Sequence, residues 1–345
     1  MTRDGGAEGA SLGPADKHSR HVPVLISEVL ETLQPRNGET YVDGTFGAGG
    51  YSRAILEKAD CVVLALDRDP NAVRGAASLV AQFPDRLKIV ETPFSQMEDA
   101  VGAQLPGKPI DGVVLDIGVS SMQLDDAERG FSFQSDGPLD MRMSSSGMSA
   151  ADFLNSADDE DIANVIYTYG EEHRSRAIAR AIVKRRAEVP FSRTLELAEV
   201  VSRVFHGRKV DGRHPATRTF QALRIFVNDE LGELATALSA AERILRPGGR
   251  LVVVSFHSLE DRIVKKFLAE RSGKSAGASR HLPPELIKSA EPSFRLVNSR
   301  PLTPSKGELE MNPRSRSARL RAAVRTDAGA WPLDLDQMGV PTPHR

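Results

Sequence analysis

Residues 41–52, with the sequence YVDGTFGAGGYS, constrain the fold more than any other part of the chain. Their apolar start predicts a β-strand, four glycines then occur within seven residues, and the residues that follow have the apolar spacing of a helix. Glycines allow the backbone to approach a ligand, and the first N–H groups of the helix face the loop. The pattern predicts a nucleotide-binding loop, although an ordinary strand-to-helix turn has the same pattern.

Two further predicted strands end on carboxylates. Residues 62–66 form an apolar strand that ends at Asp67, eighteen residues after Gly49. Acidic residues near this offset bind ribose hydroxyls in nucleotide-binding folds. Residues 112–115 form another apolar strand, which ends at Asp116. Because ligands of open α/β sheets bind at the carboxyl ends of the strands, we expect Asp67 and Asp116 to belong to one site.

The composition is that of an ordinary globular protein and excludes several other classes of protein. The 345 residues are 40% hydrophobic and 27% charged, with a net charge of −2, which suits one large domain with an insertion or two domains. No apolar run approaches the roughly 20 residues that cross a bilayer, and the amino terminus lacks a signal-peptide core, so we expect a cytoplasmic protein. A single cysteine, Cys61, excludes a disulfide scaffold and a thiolate zinc site.

The pattern along the chain predicts an α/β domain interrupted by helices. Strand and helix segments alternate, then loop chemistry and helical periodicity replace them, and a strongly apolar strand at 251–256 marks the return to the sheet. The prediction is a disordered tail at 1–19, a sheet domain formed by 20–124 and 213–326, a helical insertion at 125–212 and a second disordered tail at 327–345.

Shorter elements are predicted within these parts. Asp69 and Pro70 have the character of a helix N-cap followed by proline in the first turn. Residues 294–300 and 318–325 are predicted to close the sheet as edge strands, and residues near 272–290 to form a flexible excursion.

Seven strings of residues resemble a single protein family. They are YVDGTFGAGG at 41–50, ALDRDP at 65–70, DIGVSS at 116–121, LDDAERGFSF at 124–133, GPLDMRM at 137–143, HPATRTFQA at 214–222 and SFHSLEDR at 255–262. In this order, over about residues 21–325, they resemble the bacterial 16S ribosomal RNA cytosine-N4 methyltransferases of the MraW type.

The resemblance implies a fold, a cofactor and a substrate. The fold would be a Rossmann-like methyltransferase sheet with an inserted, mostly helical domain, and the cofactor S-adenosylmethionine. The methyl acceptor would be the N4 amine of a cytidine in the decoding region (P site) of 16S rRNA, within the small (30S) ribosomal subunit. Both a monomer and a homodimer are compatible with the sequence.

Carried over position by position, the resemblance also implies cofactor contacts. These come from Gly49, Gly50, Tyr51, Asp67, Phe94, Asp116 and Gln123. Tyr51 stands where the family commonly has histidine, and Met122 where it commonly has proline. A contact through the backbone of residue 51 survives this change, whereas a contact through its side chain is in question. Phe94 can sandwich an adenine or pack on its own helix.

Asp116 is the candidate catalytic residue. Methyl transfer from a sulfonium requires alignment of the reacting atoms and needs no metal. A group that accepts the N4–H hydrogen bonds makes the amine more nucleophilic as it pyramidalises. Asp116, together with the carbonyl of Gly118, can do this, because other amino-group methyltransferases place an Asp/Asn-Pro-Pro-aromatic motif at this strand end. The alternative is that Asp116 only binds the cofactor.

Five residues are candidates for contact with the substrate: Ser120, Ser121, His257, Ser258 and Arg218. His257 can instead cap the following helix. Arginines and lysines between residues 174 and 218 can bind RNA phosphates or form ordinary solvated faces. Phe131 and Phe133 can stack on a flipped base or belong to the core. The histidines show no metal-ligand spacing, so no metal is predicted.

Three other functions explain part of the pattern. An NAD dehydrogenase would share the glycine loop and Asp67. A small-molecule methyltransferase would share the sheet but leaves the basic helical insertion unexplained. A noncatalytic ribosome-assembly factor would bind small subunits without changing the methylation of their RNA.

Overall fold

The structure, a computed structural model, describes residues 23–274 and 291–343. The predicted tail at 1–19 and residues 275–290 of the predicted excursion lie outside this part of the chain. Within the described ranges, no helix combines the length and the apolar character that crossing a membrane requires.

A seven-stranded sheet forms the centre of the fold. Its strands are β1 Thr40–Asp43, β2 Val62–Asp67, β3 Leu87–Glu91, β4 Ile110–Asp116, β5 Leu245–Ser255, β6 Phe294–Leu296 and β7 Arg319–Arg325. They lie in the order β3-β2-β1-β4-β5-β7-β6, in which β1 to β5 are parallel and β7 is antiparallel to both neighbours. The predicted Rossmann-like α/β sheet is confirmed.

Helices cover both faces of this sheet. In the described ranges they are α1 Ile26–Leu33, α2 Gly50–Lys58, α3 Pro70–Gly75, α4 Ala77–Gln82, α5 Met97–Gln104, α6 Ser121–Asp125, α7 Ala150–Ser156, α8 Asp159–Gly170, α9 Ser175–Arg186, α10 Thr194–Val204, α11 Thr217–Asn228, α12 Glu230–Ile244, α13 Ser258–Arg271, α14 Lys306–Met311 and α15 Leu335–Met338.

Two hydrophobic cores lie on opposite faces of the sheet. In β4, Val113 and Leu115 belong to one core, whereas Val114 belongs to the other. The central strands are therefore apolar on both sides, as expected for parallel strands that helices cover on both faces. One core includes residues of α1 to α4, and the other extends from the sheet through α5 and α7 to α13.

Helices α7 to α10 follow β4 in the chain and share their core with the sheet domain. Leu154, Ile166, Ile182 and Val201, one from each of these helices, belong to the same buried cluster as Phe220 of α11. Helix α8 packs along α11. The helices predicted between residues 125 and 212 are present, and the division of the chain into two domains at these boundaries stays a prediction.

The end of the sheet differs from the prediction of two edge strands. Strand β7 lies between β5 and β6, so it is an interior strand, and only the short β6 is at the edge. Leu320, Ala322 and Ala323 are buried. The position of β7 depends on antiparallel pairing with β5, which a local sequence pattern does not specify.

Residues 327–343 pack on the domain, in contrast to the disordered tail predicted from residue 327. The Trp331 ring lies 4.9 Å from the guanidinium of Arg271, which is only 1% exposed. Met338 in α15 is fully buried and α15 contacts α12 and α13. Two anchoring side chains in an otherwise polar segment produce no periodicity, so the sequence pattern did not reveal this packing.

Replacing Met338 tests whether this segment stabilises the fold. We expect Met338→Ala to lower the free energy of unfolding by about 2 to 4 kcal/mol, because the substitution empties a buried position. Leu335 lies in the same short helix and is 41% exposed, so Leu335→Ala is the matched control. It should change the free energy of unfolding by less than about 1 kcal/mol. Urea denaturation of the full chain measures both. Equal, small effects would mean that the segment is not held in place in solution.

Candidate functional site

A cleft at the carboxyl ends of β1, β2 and β4 has a volume of about 1660 Å³. Sites for one small ligand usually have about 300 to 1,000 Å³, so this cleft has room for a nucleotide and part of a second molecule. The predicted site residues that line it are Gly50, Tyr51, Asp67, Phe94, Asp116, Ser120, Ser121 and Gln123.

Two glycines shape the loop between β1 and α2. Gly49 is the N-cap of α2 and has a φ of 77°, a conformation that strains residues with a side chain. A Cβ on Gly50 would lie 2.2 Å from Cγ of Pro23. Glycine at position 50 therefore permits the chain at Pro23 to pack on the start of α2.

The side chain of Tyr51 has a structural role. It is 3% exposed, and its hydroxyl donates a hydrogen bond to the carbonyl of Val24. The ring thus fastens the chain at residues 23–24 next to the glycine loop. A cofactor contact by residue 51 would be made through its backbone.

Asp67 holds the glycine loop and faces the cleft. Its carboxylate accepts hydrogen bonds from the backbone N–H groups of Gly47, at 2.7 Å, and Asp69, at 2.8 Å. Burial raises the pKa of Asp67 despite these two hydrogen bonds. The side chain proposed for ribose binding therefore also determines the shape of the loop.

Asp69 and Gln123 join the cofactor side of the cleft to the loop after β4. Asp69 caps α3 by accepting from the N–H of Asn71 at 2.9 Å, as predicted. Its other oxygen accepts from Nε2 of Gln123 at 2.9 Å. Oε1 of Gln123 accepts from the N–H of Ser120 at 3.0 Å, so both ends of this amide are held within the protein.

Arg129 extends this network into the chain before α7. Its Nη1 lies 2.6 Å from the same Asp69 carboxylate, and its Nη2 donates to the carbonyls of Arg142 and Met143 at 2.9 and 3.0 Å. Sequence reasoning did not identify Arg129 as a site residue. Its position in the LDDAERGFSF string was the available signal.

Asp116 ends β4 with an unpaired buried oxygen. Its backbone N–H donates to Oγ1 of Thr45 at 2.7 Å, but its Oδ1 is buried and has no hydrogen-bond partner among the described residues. Burial, followed by the charges of Asp43 and Glu260, raises the pKa of Asp116 well above its usual value. A buried acceptor without a partner is costly, and such groups are often found where a ligand binds.

Asp43, which sequence reasoning did not select, ends β1 directly before the cleft-lining residues Gly44 and Thr45, and its charge acts on Asp116. It is fully buried and accepts hydrogen bonds from Oγ of Ser52 at 2.7 Å and from the N–H of Thr45 at 3.1 Å. Burial raises its pKa to about 6. Asp43, Asp67 and Asp116 all have raised pKa values at one sheet edge, so a positively charged ligand there would stabilise their ionised forms.

Three predicted substrate residues lie outside the lining of the cleft. His257 is the N-cap of α13, and its Nδ1 accepts from the N–H of Glu260 at 3.4 Å. Ser258 donates to Glu171 at 2.7 Å, and Arg218 is paired with Asp211 at 2.8 Å. Their contact with a substrate stays a prediction.

The aromatic residues divide between core and cleft. The ring centroid of Phe133 lies 4.7 Å from that of His214 and 4.8 Å from that of Phe220. Phe131 is only 6% exposed. Both phenylalanines therefore pack against other protein residues, which is the second of the two alternatives given for them. Phe256, which sequence reasoning did not select, lines the cleft. Its position as the last residue of the predicted apolar strand at 251–256 was the available signal.

Comparison with known proteins identifies the family. Residues 18–326 match the profile of the MraW methylase family. The chain belongs to the MraW methylase family. It is 57% identical over 327 residues to "Ribosomal RNA small subunit methyltransferase H" of Parvibaculum lavamentivorans, covering 94% of this chain and 96% of that protein. It is 58% identical over 311 residues to the protein of the same name in Caulobacter vibrioides, covering 90% and 97%.

The fold was also compared with solved structures. The crystal structure of an rRNA methylase from Streptococcus thermophilus superposes with a TM-score of 0.38 at 9% identity, over 88% of this chain and 94% of that chain. A likeness of this size carries no conclusion about function.

As a member of this methylase family, the protein has S-adenosylmethionine as its cofactor. The cleft fits this cofactor. It offers a glycine loop at the start of α2, the carboxylate of Asp67 at the end of β2, and buried carboxyls that a sulfonium cation would stabilise in their ionised form. The unpaired Oδ1 of Asp116 can accept a hydrogen bond from a bound ligand.

The raised pKa of Asp43 predicts a pH dependence of stability. The unfolded chain ionises this carboxyl near pH 3.8, and the folded protein near pH 6, so the folded state binds more protons between these values. The stabilisation is complete below about pH 4 and is lost as the pH rises through about 6. We expect the free energy of unfolding, relative to Asp43→Asn, to fall by about 2 to 3 kcal/mol between pH 4 and pH 7.

Urea denaturation at each pH measures this difference. Asp99→Asn on the exposed face of α5 is the control for deleting one surface charge. A difference between the wild type and Asp43→Asn that does not change with pH would show that Asp43 has no raised pKa.

Proposed function

We propose that this protein transfers the methyl group of S-adenosylmethionine to the N4 amine of a cytidine in the decoding region (P site) of 16S rRNA, within the small ribosomal subunit in the cytoplasm. The names of its relatives, at 57 to 58% identity over nearly the whole chain, support small-subunit rRNA as the substrate. The resemblance of the seven sequence strings supports the N4 amine and the decoding region.

The observation that carries the proposal is the unpaired carboxyl oxygen of Asp116. This oxygen is buried at the carboxyl end of β4, in a cleft with room for a nucleotide and part of a second molecule. An exocyclic amine offers N–H donors that match such an acceptor. The adjacent Gly118, which has a φ of 110° and lines the same cleft, places a second acceptor, its carbonyl, after the same strand.

When bound, S-adenosylmethionine supplies an electrophilic methyl group on a sulfonium. Asp116 would accept a hydrogen bond from the N4 amine and so orient its lone pair toward that methyl. Formation of the bond from N4 to the methyl carbon, with loss of the bond from sulfur to that carbon, would make the amine more acidic. Its proton would then pass to the carboxylate of Asp116, whose raised pKa favours uptake of a proton.

The other cleft residues would hold the cofactor in place. Asp67 would accept hydrogen bonds from the ribose hydroxyls, and the N–H groups at the start of α2 would face its polar atoms. Phe94, which starts a 3-10 turn directly after β3 and lines the cleft, would pack on the adenine. Gln123 would act by positioning Asp69 and the Ser120 loop.

A basic face on α9 supports RNA as the partner. Arg176, Arg180 and Lys184 are exposed at intervals of four residues, and none forms a salt bridge with any residue that the structure describes. Such a stripe attracts phosphates despite the net charge of −2 of the chain.

Nucleoside mass spectrometry of 16S rRNA tests the proposed reaction. Cells without the protein should lose one N4-methylated cytidine, and the purified protein with S-adenosylmethionine should restore it. Supplying naked 16S rRNA and assembled small subunits in parallel identifies the preferred substrate. An unchanged profile of N4-methylated cytidine in cells without the protein would exclude the proposal.

Asp116→Asn separates catalysis from cofactor binding. We expect turnover at saturating cofactor to fall by about 100-fold or more, because an amide takes up no proton, while the Kd for S-adenosylmethionine rises by a much smaller factor through the loss of one of the three carboxylates. Asp67→Asn is the matched control and should raise that Kd while leaving turnover at saturation nearer to the wild type. Calorimetry and single-turnover kinetics give the two quantities. Lost affinity with intact turnover in Asp116→Asn would assign Asp116 to cofactor binding alone.

A further inference from the structure

Arg224 is a half-buried arginine on α11 that lines the cleft. Its side chain is 16% exposed. Its Nε and Nη2 donate to the two carboxylate oxygens of Glu230 at 2.7 and 2.8 Å. This two-point pairing fixes the plane of the guanidinium. The third nitrogen, Nη1, makes no hydrogen bond with any described residue, so its two N–H groups are available to a ligand.

A chain of short distances places Arg224 on the Asp116 side of the cleft. A Cβ on Gly118 would lie 3.8 Å from Oε1 of Glu260. Carboxylate oxygens of Glu260 and Glu230 lie within 4.8 Å of each other, and Glu230 holds Arg224. Glu230 and Glu260 thus link Arg224 to the strand end at Gly118, and Arg224, Asp116 and Gly118 line the same cleft.

The same cluster has the residue types of a metal site. Glu230, His257 and Glu260 bring possible ligand atoms within 4.8 Å of one another. However, both oxygens of Glu230 already accept from Arg224, and Oε2 of Glu260 accepts from the N–H groups of Phe256 and His257. Nε2 of His257 also lies 3.0 Å from Oε1 of Glu260. Protein groups therefore already face both carboxylates, and Arg224 is the member of this cluster that lines the cleft.

The chemistry of cytosine suggests what the guanidinium contacts. The pairing edge of cytosine has the N4 amine as donor, followed by N3 and the O2 carbonyl as acceptors. If Asp116 accepts from the amine, the remaining two positions require donors on the same wall of the cleft. A base turned out of its helix is commonly read along this edge. Nη1 of Arg224 supplies such donors.

We infer that Arg224 binds the acceptor edge of the target cytosine, at O2 and N3, and thereby sets the base specificity of the enzyme. This inference rests on the proposed function, because it requires cytidine N4 as the acceptor. Two other ligands have anionic groups that an arginine could bind, the carboxylate of S-adenosylmethionine and an RNA phosphate. The link from Arg224 through Glu230 and Glu260 to Gly118, at the strand end that carries Asp116, favours the base.

An isosteric nucleotide tests the inference on the wild-type protein. A 2-aminopyridine C-nucleoside keeps the amine and the ring nitrogen of cytidine but replaces the O2 carbonyl by C–H. It would be placed at the methylated position in small subunits reconstituted from ligated 16S rRNA. We expect kcat/KM for methyl transfer to be about 10- to 100-fold lower than with cytidine. Equal rates on both nucleotides would overturn the inference. Because the test uses only the wild-type protein, its result does not depend on the folding of any variant.

Two variants then assign the discrimination to Arg224. Arg224→Lys retains the charge beside Glu230 but loses the planar fork, and Arg224→Met combined with Glu230→Gln removes both buried charges together. In each, kcat/KM for cytidine should fall by about 10- to 100-fold and the preference for cytidine over the analogue should fall by the same factor. The Kd for S-adenosylmethionine without RNA should stay within about twofold of the wild type.

Arg314→Lys is the matched control, since Arg314 also lines the cleft and is paired with Asp125. It should leave the preference between the two nucleotides unchanged. A large rise in the Kd for S-adenosylmethionine in the Arg224 variants would show that Arg224 holds the cofactor, and an equal loss on both nucleotides would show a phosphate or purely structural role. Either result overturns the inference. Absence of methyl transfer by the wild type to any cytidine would instead overturn the proposed function itself.

Discussion

Three carboxyl groups at one edge of a parallel sheet, fully buried in Asp43 and partly buried in Asp67 and Asp116, are the constraint on which the site depends. Asp43, Asp67 and Asp116 end β1, β2 and β4, and burial raises the pKa of each. Burying an acid in this way destabilises its ionised form, so the arrangement favours a cation in the cleft. A sulfonium cofactor meets that requirement. The glycine loop is held to the same edge because Asp67 accepts the N–H of Gly47.

The chain between β4 and α11 is coupled to this edge by polar contacts. Asp69 receives hydrogen bonds from both Gln123 and Arg129, and Arg129 holds the carbonyls of Arg142 and Met143. Asn228 on α11 accepts from the N–H of Met143 at 2.8 Å. The wall of the cleft that would meet the substrate is therefore built on the residues that shape the cofactor loop. A shift on either side would disturb the alignment on which methyl transfer depends.

Charge is distributed unevenly in this molecule. Asp67, Asp69 and Asp116 line the cleft, and the arginines that line it include Arg224, paired with Glu230, and Arg314, paired with Asp125. The outer face of α9 carries Arg176, Arg180 and Lys184, which form no salt bridge within the described part of the chain. This separation allows one protein of nearly neutral net charge to hold a cationic cofactor and a polyanionic substrate at the same time.

Much of the fold and part of the site followed from the sequence. Periodicity located β2, β4 and the apolar part of β5, and the N-cap at Asp69, because these depend on contacts between near neighbours in the chain. The carboxyl ends of parallel strands meet at one edge, so the common location of Asp67 and Asp116 followed as well. Family resemblance then added Phe94 and Gln123, which also line the cleft.

Tertiary structure decided the rest. The sequence did not reveal that Tyr51 anchors Val24, that β7 lies inside the sheet, that Met338 is buried, or that Arg224 leaves one nitrogen free beside Glu230. Each of these depends on groups that are distant in the chain or on the direction of a single side chain. Local patterns report which face of an element is apolar, whereas partners and directions are set only when the elements pack together.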